Sequence, residues 1–84
     1  MRKRPEIIIC MEMLGLLLEG SRGPTRLAQS LGLSYDRFMK FADILEKKQF
    51  VVKESEEGHV AYKITPEGLQ LHQDWRKVRD RFGS

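Results

Sequence analysis

The stretch PTRLAQSLGLSYDRFMKFADILEKK, residues 24–48, decides the fold of this 84-residue chain. Pro24 has the fixed φ that suits a first helical turn, and Gly32 stands where a helix end favours positive φ. Ser34 is a good N-cap for a second helix, which begins directly after it. These signals predict two helices joined by a three-residue turn, the sequence form of a helix-turn-helix.

The flanking residues complete the predicted order of elements. Two β-prone runs follow the motif, and the polar residues between them end in Gly58, which predicts a hairpin with a loop of about five residues. Thr65 and Pro66 then form a helix-start signal. We predict helices over residues 5–19, 25–31, 35–48 and 66–82, and strands over residues 50–53 and 60–64.

This order predicts an α+β, mainly α fold. A helix-turn-helix followed at once by a β-hairpin is the arrangement of a winged helix-turn-helix, with three helices and a two-stranded wing, and here a C-terminal helix is added. The predicted divisions are a basic N-terminal arm (residues 1–4), the winged helix-turn-helix domain (5–65) and a C-terminal dimerisation helix (66–84).

Composition excludes several classes of protein. Fifteen Lys and Arg against twelve Asp and Glu leave a net charge of +3, and 40% of the residues are hydrophobic. The longest apolar run, residues 7–11, is far shorter than the ~20 residues a membrane helix needs. One cysteine excludes an internal disulfide framework. We expect a cytoplasmic, nucleoid-associated protein without cofactor, metal or small-molecule substrate, and no enzyme, because no catalytic constellation stands out.

The second helix of the motif carries the predicted chemistry. Its phenylalanines must face the core, which turns Arg37 and Lys40 outward, and an arginine can bond guanine O6 and N7 in the major groove. The acidic hairpin tip should be repelled by phosphates, so wing contacts are assigned to lysines behind it. The predicted DNA-binding residues are Arg22, Thr25, Arg26, Ser34, Tyr35, Asp36, Arg37, Lys40, Lys53 and Lys63.

Residues 25–51 and 61–68 resemble the archaeal winged-helix transcriptional regulators and chromatin proteins that carry a C-terminal dimerisation helix. The most specific pieces are Leu33-Ser34-Tyr35, Leu45-Glu46-Lys47-Lys48 and the run from Tyr62 to Gly68. The resemblance implies a homodimer whose last helices pair and whose recognition helices meet double-stranded DNA. The family commonly has glycine at the position of Gln49, so we expect strain there.

Two apolar patterns predict the dimer. In the last helix, spacings of 4, 3 and 4 form a coiled-coil seam. The first helix carries two apolar stripes: we assign Ile7, Met11, Leu14 and Leu18 to the core and the other stripe to a partner chain. The predicted interface residues are Ile9, Met13, Leu16, Leu71, Trp75, Val78 and Phe82.

Two alternatives stay open. The acidic tip and modest net charge are compatible with a winged-helix protein-interaction module that does not bind DNA. Cys10 could instead form an intersubunit disulfide at a two-fold axis, which would make the protein a redox-responsive regulator.

Overall fold

The computed structural model describes residues 4–83, which form four helices and one two-stranded antiparallel sheet. The fold is a mainly helical winged helix, so the predicted fold class is confirmed. The elements in chain order are α1 (Glu6–Leu17), α2 (Pro24–Leu31), α3 (Tyr35–Lys47), β1 (Val51–Glu56), β2 (His59–Ile64) and α4 (Pro66–Arg81).

The turn between α2 and α3 forms as the sequence predicts. Gly32 ends α2 with φ of 68°, a left-handed conformation that glycine adopts without steric cost. The Leu33 amide donates to the Ala28 carbonyl at 3.0 Å, which closes the end of α2. The Ser34 hydroxyl then accepts a hydrogen bond from the Arg37 amide at 3.3 Å and caps α3.

The wing is longer and its turn tighter than predicted. The two strands pair from Val51 opposite Ile64 to Glu56 opposite His59. Only Glu57 and Gly58 remain as the turn, and both have positive φ, as the common two-residue hairpin turns require. The predicted five-residue loop is therefore wrong, because this turn lets the polar residues before it pair across the hairpin.

Helix α1 buries residues of both its apolar stripes, and Met11 and Leu14 lie in the core as predicted. Ile9 and Met13 are fully buried within the protomer, whereas Ile7 and Leu18 are exposed near the two ends of the helix. This corrects the assignment of Ile9 and Met13 to a dimer interface. The helix is apolar almost all round, so its own pattern could not select the inward face.

A close contact attaches α4 to the end of α3. The Thr65 hydroxyl accepts from the Gly68 amide at 3.0 Å and donates to the Gln49 carbonyl at 2.6 Å. Gln49 has φ of 65°, so the strain expected there is confirmed. A Cβ at Gly68 would lie 2.1 Å from the Phe50 carbonyl oxygen, and only a glycine allows this approach.

Candidate nucleic-acid interface

Helix α3 presents its charged side chains to solvent. Phe38, Phe41, Ala42 and Leu45 are buried and anchor the helix to the core, while Arg37 and Lys40 are exposed. Within residues 4–83, neither cation takes part in an ion pair. Both charges are therefore free to meet an external anion.

The outer surface of α3 consists of three rows, because residues seven apart lie almost on the same side of a helix. One row contains Asp36 and Asp43, the middle row contains Lys40 and Lys47, and the third contains Arg37 and Ile44. Three acidic and three basic side chains balance along α3. Residues 20–53 contain seven Lys and Arg against three Asp and Glu, so the positive excess of this region comes from the four cations that flank α3: Arg22, Arg26, Lys48 and Lys53.

The acidic row lies on the side of α3 nearest the wing. Tyr62 of β2 is buried against α3, where its ring meets that of Phe38 at 5.8 Å in an edge-to-face contact and its hydroxyl donates to the Met39 sulfur. Burial raises the pKa of Tyr62, and the negative charges of Glu46 and Asp43 raise it further. Tyr62 positions the wing, a role that its place in a β-prone run did not reveal.

The row of Arg37 and Ile44 lies beside the N-terminal segment. Together with Lys40 and Arg4, these side chains line a groove of about 520 Å³, whose wall also contains Phe41, Pro5 and the carboxylate-bearing Glu6. We call it the α3 groove. Ile44 was not among the predicted site residues. The sequence did contain a signal for it, because Ile44 is an apolar residue that lies off the core-facing stripe of α3.

The predicted basic arm is partly held against the domain. The Arg4 guanidinium donates to the Glu12 carboxylate and to the Leu31 carbonyl at the end of α2. Its charge is therefore engaged by the protein itself. The rest of the arm, residues 1–3, lies outside the described residues.

The two wing lysines lie on opposite faces of the hairpin. Lys53 pairs with Tyr62 and Lys63 pairs with Val52, and neighbouring positions along a strand point to opposite faces. The face of Lys63 also carries Glu54 and Glu56, whereas the face of Lys53 carries no acidic side chain. The two lysines are thus not equivalent toward a polyanion.

Arg22, in the segment before α2, forms an isolated antiparallel β-bridge with Tyr62 of the wing. The Arg22 amide donates to the Tyr62 carbonyl at 3.1 Å, and the Tyr62 amide donates back at 2.8 Å. The Arg22 side chain lies 3.4 Å from the Glu19 carboxylate, so its charge is partly compensated. Thr25 and Arg26, in the first turn of α2, are exposed.

At the start of α3, the remaining predicted contacts are accessible. Ser34, Tyr35 and Asp36 are all exposed. The Tyr35 ring packs edge-to-face on Phe38 at 6.4 Å, so this side chain has one protein neighbour and one free face. Ser34 already uses a lone pair as the helix cap.

An apolar surface runs along α4 and onto α1. Val78 is 50% exposed and Phe82 is 86% exposed, and with Trp75 and Ile8 they line one shallow depression. Trp75 is half-buried. Of the other predicted interface residues, Leu16 and Leu71 pack partly on the protomer core.

Cys10 and His72 are the two titratable groups most affected by burial near α1. Cys10 belongs to the core cluster, and burial raises the pKa of its thiol. The disulfide alternative left open for Cys10 would require that thiol to leave its own core.

The His72 Nδ1 atom is buried without a partner among residues 4–83. Burial lowers the pKa of His72, and the positive charges of Arg76 and Arg79 nearby lower it further.

Across residues 4–83, no three His, Cys, Asp or Glu side chains are grouped so that they could hold a metal ion. None of the four helices is both long and apolar enough to cross a membrane.

Comparison with known proteins identifies the family to which this fold belongs. Residues 3–82 match a family model described as winged helix-turn-helix. No curated protein sequence matches the chain significantly. Among the solved structures that resemble it, two are described as transcriptional regulators and one as a DNA-binding protein.

Three solved structures illustrate the likeness. The transcriptional regulator BldR from Sulfolobus solfataricus is 22% identical, with a TM-score of 0.82 over 89% of this chain and 56% of its own. Sso10a-2, a DNA-binding protein from Sulfolobus solfataricus, is 26% identical, with a TM-score of 0.77 over 94% and 85%. A transcriptional regulator from Clostridium thermocellum is 19% identical, with a TM-score of 0.74 over 99% and 100%. The chain spans little more than half the length of BldR and 53% of Lactococcus lactis ZitR.

Proposed function

The chain belongs to the winged helix-turn-helix family, and on that premise we propose that it binds double-stranded DNA as a homodimer and regulates transcription. The observation that carries the proposal is the pair of exposed, unpaired cations Arg37 and Lys40 on a helix anchored by buried phenylalanines. Such a helix fits the major groove of duplex DNA. We expect the protein to act in the cytoplasm, at the nucleoid.

The charge distribution supports an approach centred on α3. Arg37 faces base edges, where a guanidinium bonds guanine in two places, while Lys40 and Lys47 lie in the next row. Arg26 is exposed in the first turn of α2, and we assign it to phosphates because the first helix of such motifs commonly crosses the DNA backbone. The acidic wing tip is held away from the backbone, and Lys53 makes the stronger of the two predicted wing contacts.

The dimer is supported by the apolar surface of α4. Trp75, Val78 and Phe82 follow the seam spacing of a coiled coil, and the last two are at least half exposed. Pairing of residues 66–84 with the same helix of a second copy removes this surface from water. A two-fold dimer also presents two α3 helices to two half-sites.

A fluorescence-anisotropy titration of labelled duplex DNA over a salt series tests the DNA-binding proposal. Arg37→Ala should weaken binding about tenfold per half-site and about a hundredfold for the dimer, since each good bidentate base contact contributes ~1–3 kcal/mol. Lys40→Ala should weaken binding and, because the dimer loses two phosphate contacts, reduce the salt slope by up to ~1.8. Lys77→Ala removes the same charge from exposed α4 and is the matched control, expected to change neither quantity.

The interaction-module alternative makes the opposite prediction for the same titration. The balanced charge of α3 and the acidic wing tip are the observations that favour it. Absence of salt-dependent binding at low ionic strength, or equal effects of Arg37→Ala and Lys77→Ala, would reject DNA recognition through α3.

Sedimentation velocity tests the dimer. Trp75→Ala and Phe82→Ala should release monomer, because each removes apolar surface from the seam. Leu69→Ala is the control, since Leu69 is 39% exposed on the other side of the same helix. An unchanged dimer in the two seam variants would remove α4 as the interface.

A further inference from the structure

Ile44 is an exposed aliphatic side chain on the otherwise polar outer surface of α3. It is 41% exposed, while the residues that α3 contributes to the core are all buried. A single exposed isoleucine is ordinary in a soluble protein. Its neighbours make this one informative, because Ile44 shares the α3 groove with the unpaired cations Arg37 and Lys40.

The spacing of these side chains matches the spacing of bases. Ile44 follows Arg37 by seven residues, which places it two turns further along the same row, about 10.5 Å along the helix axis. Base pairs in duplex DNA are ~3.4 Å apart along the duplex axis, so the two side chains are separated by at most about three base-pair steps. Lys40 lies between them on the adjoining row.

The chemistry of the α3 groove selects among possible occupants. The α3 groove is lined by three cations, Arg4, Arg37 and Lys40, and one carboxylate, Glu6, so an apolar peptide would bury a net positive charge, which is costly. Duplex DNA supplies both requirements, because its phosphates meet the cations and its major groove contains one apolar group, the C5-methyl of thymine.

We infer that Ile44 reads a thymine methyl group within about three base pairs of the guanine that Arg37 bonds. The inference rests on the proposed DNA binding and adds a specificity-determining residue to it. Ile44 supplies discrimination for thymine against cytosine and uracil at one position of each half-site. Arg37 supplies discrimination for guanine at the other.

Thymine-to-uracil replacement tests this directly, because it removes only the methyl group. The wild-type protein is first used to enrich its sites from a randomised duplex pool. Each thymine of an enriched site is then replaced by deoxyuridine, and binding of wild type and Ile44→Ala is measured by anisotropy. Leu18→Ala is the matched control. Leu18 is 41% exposed, like Ile44, but it lies at the C-terminal end of α1, away from the α3 groove.

In the wild type, deoxyuridine at this position in one half-site should weaken binding about fourfold, the effect of losing one buried methyl group, and in both half-sites about sixteenfold. Ile44→Ala alters both protomers, so it should bind the thymine site about as weakly as wild type binds the doubly substituted site, and it should lose the dependence on the methyl. Leu18→Ala should retain that dependence. Circular dichroism and the thermal midpoint verify that both variants are folded.

Three results would overturn the inference. Equal methyl dependence in wild type and Ile44→Ala would assign the thymine to another residue, and no methyl dependence in either would remove apolar readout. Duplex binding without enrichment of any sequence would also overturn the role of Ile44 while leaving DNA binding in place. Absence of salt-dependent DNA binding by the wild type would reject the proposed function itself.

Discussion

Replacing Gly68 with alanine should test the contact that orients α4 against the winged helix-turn-helix domain. The added Cβ would lie 2.1 Å from the Phe50 carbonyl oxygen and 2.9 Å from Cγ1 of Ile64. The nearest atom belongs to the backbone, so no change of side-chain rotamer can relieve the overlap. Helix α4 must instead move away from the end of α3.

The loss in the free energy of unfolding can be estimated from the contacts that such a movement strains. Thr65 makes two short links at this junction, from its hydroxyl to the Gln49 carbonyl at 2.6 Å and from its amide to the Phe50 carbonyl at 3.1 Å. Each contributes about 1 kcal/mol net, and overpacking itself costs about 1–3 kcal/mol. Better helix propensity of alanine returns up to about 1 kcal/mol. We expect a loss of about 3 kcal/mol in the free energy of unfolding.

Urea denaturation followed by the fluorescence of Trp75, at fixed protein concentration, measures this loss. The thermal midpoint should fall by more than about 10 °C for a domain of this size. Gly15→Ala is the matched control, because its Cβ would meet only the His72 side chain, at 3.2 Å, and should change stability by less than about 1 kcal/mol. An unfolding midpoint for Gly68→Ala equal to that of the wild type would refute the close-contact argument.

Three further predictions follow from particular residues. Gln49→Gly should raise the free energy of unfolding by about 1 kcal/mol in urea, because glycine accepts positive φ without strain; unchanged stability would contradict this. Lys53→Ala should weaken DNA binding and lower the salt slope more than Lys63→Ala, because Lys63 shares its face of the hairpin with two glutamates. Anisotropy titrations over a salt series measure both effects, and equal effects of the two variants would contradict the prediction. The folded state lowers the pKa of His72 from its ordinary 6.5, so stability should fall as pH drops from about 7 to 5. His72→Gln should flatten that dependence in urea titrations at each pH.

The order of elements was accessible to sequence reasoning because it depends on local signals. Ser34 and Thr65 cap the helices they were predicted to cap, and Gly32 ends α2 with the expected positive φ. Each signal acts through hydrogen bonds or steric limits within a few residues. The wing turn was predicted less well, because a two-residue turn at Glu57 and Gly58 imposes pairing on polar residues with low strand propensity.

The candidate interface was predicted in its centre and not in its surroundings. The inward phenylalanines forced Arg37 and Lys40 outward, so their exposure followed from helical periodicity. The engagement of Arg4 by Glu12, the pairing of Arg22 with Glu19 and the separation of the two wing lysines involve residues of different elements. Periodicity along one helix contains no information about such contacts.

Local pattern alone determined that this chain forms a helix-turn-helix, a hairpin and a final helix, because caps, glycines and apolar spacing act over a few residues. Tertiary structure decided which side of α1 is buried, since that helix is apolar almost all round and several faces satisfied its own pattern. Tertiary structure also decided that the acidic row of α3 lies toward the wing and the Arg37 and Ile44 row toward the N-terminal segment. These outcomes depend on how the elements pack together, and packing is a property of the whole domain.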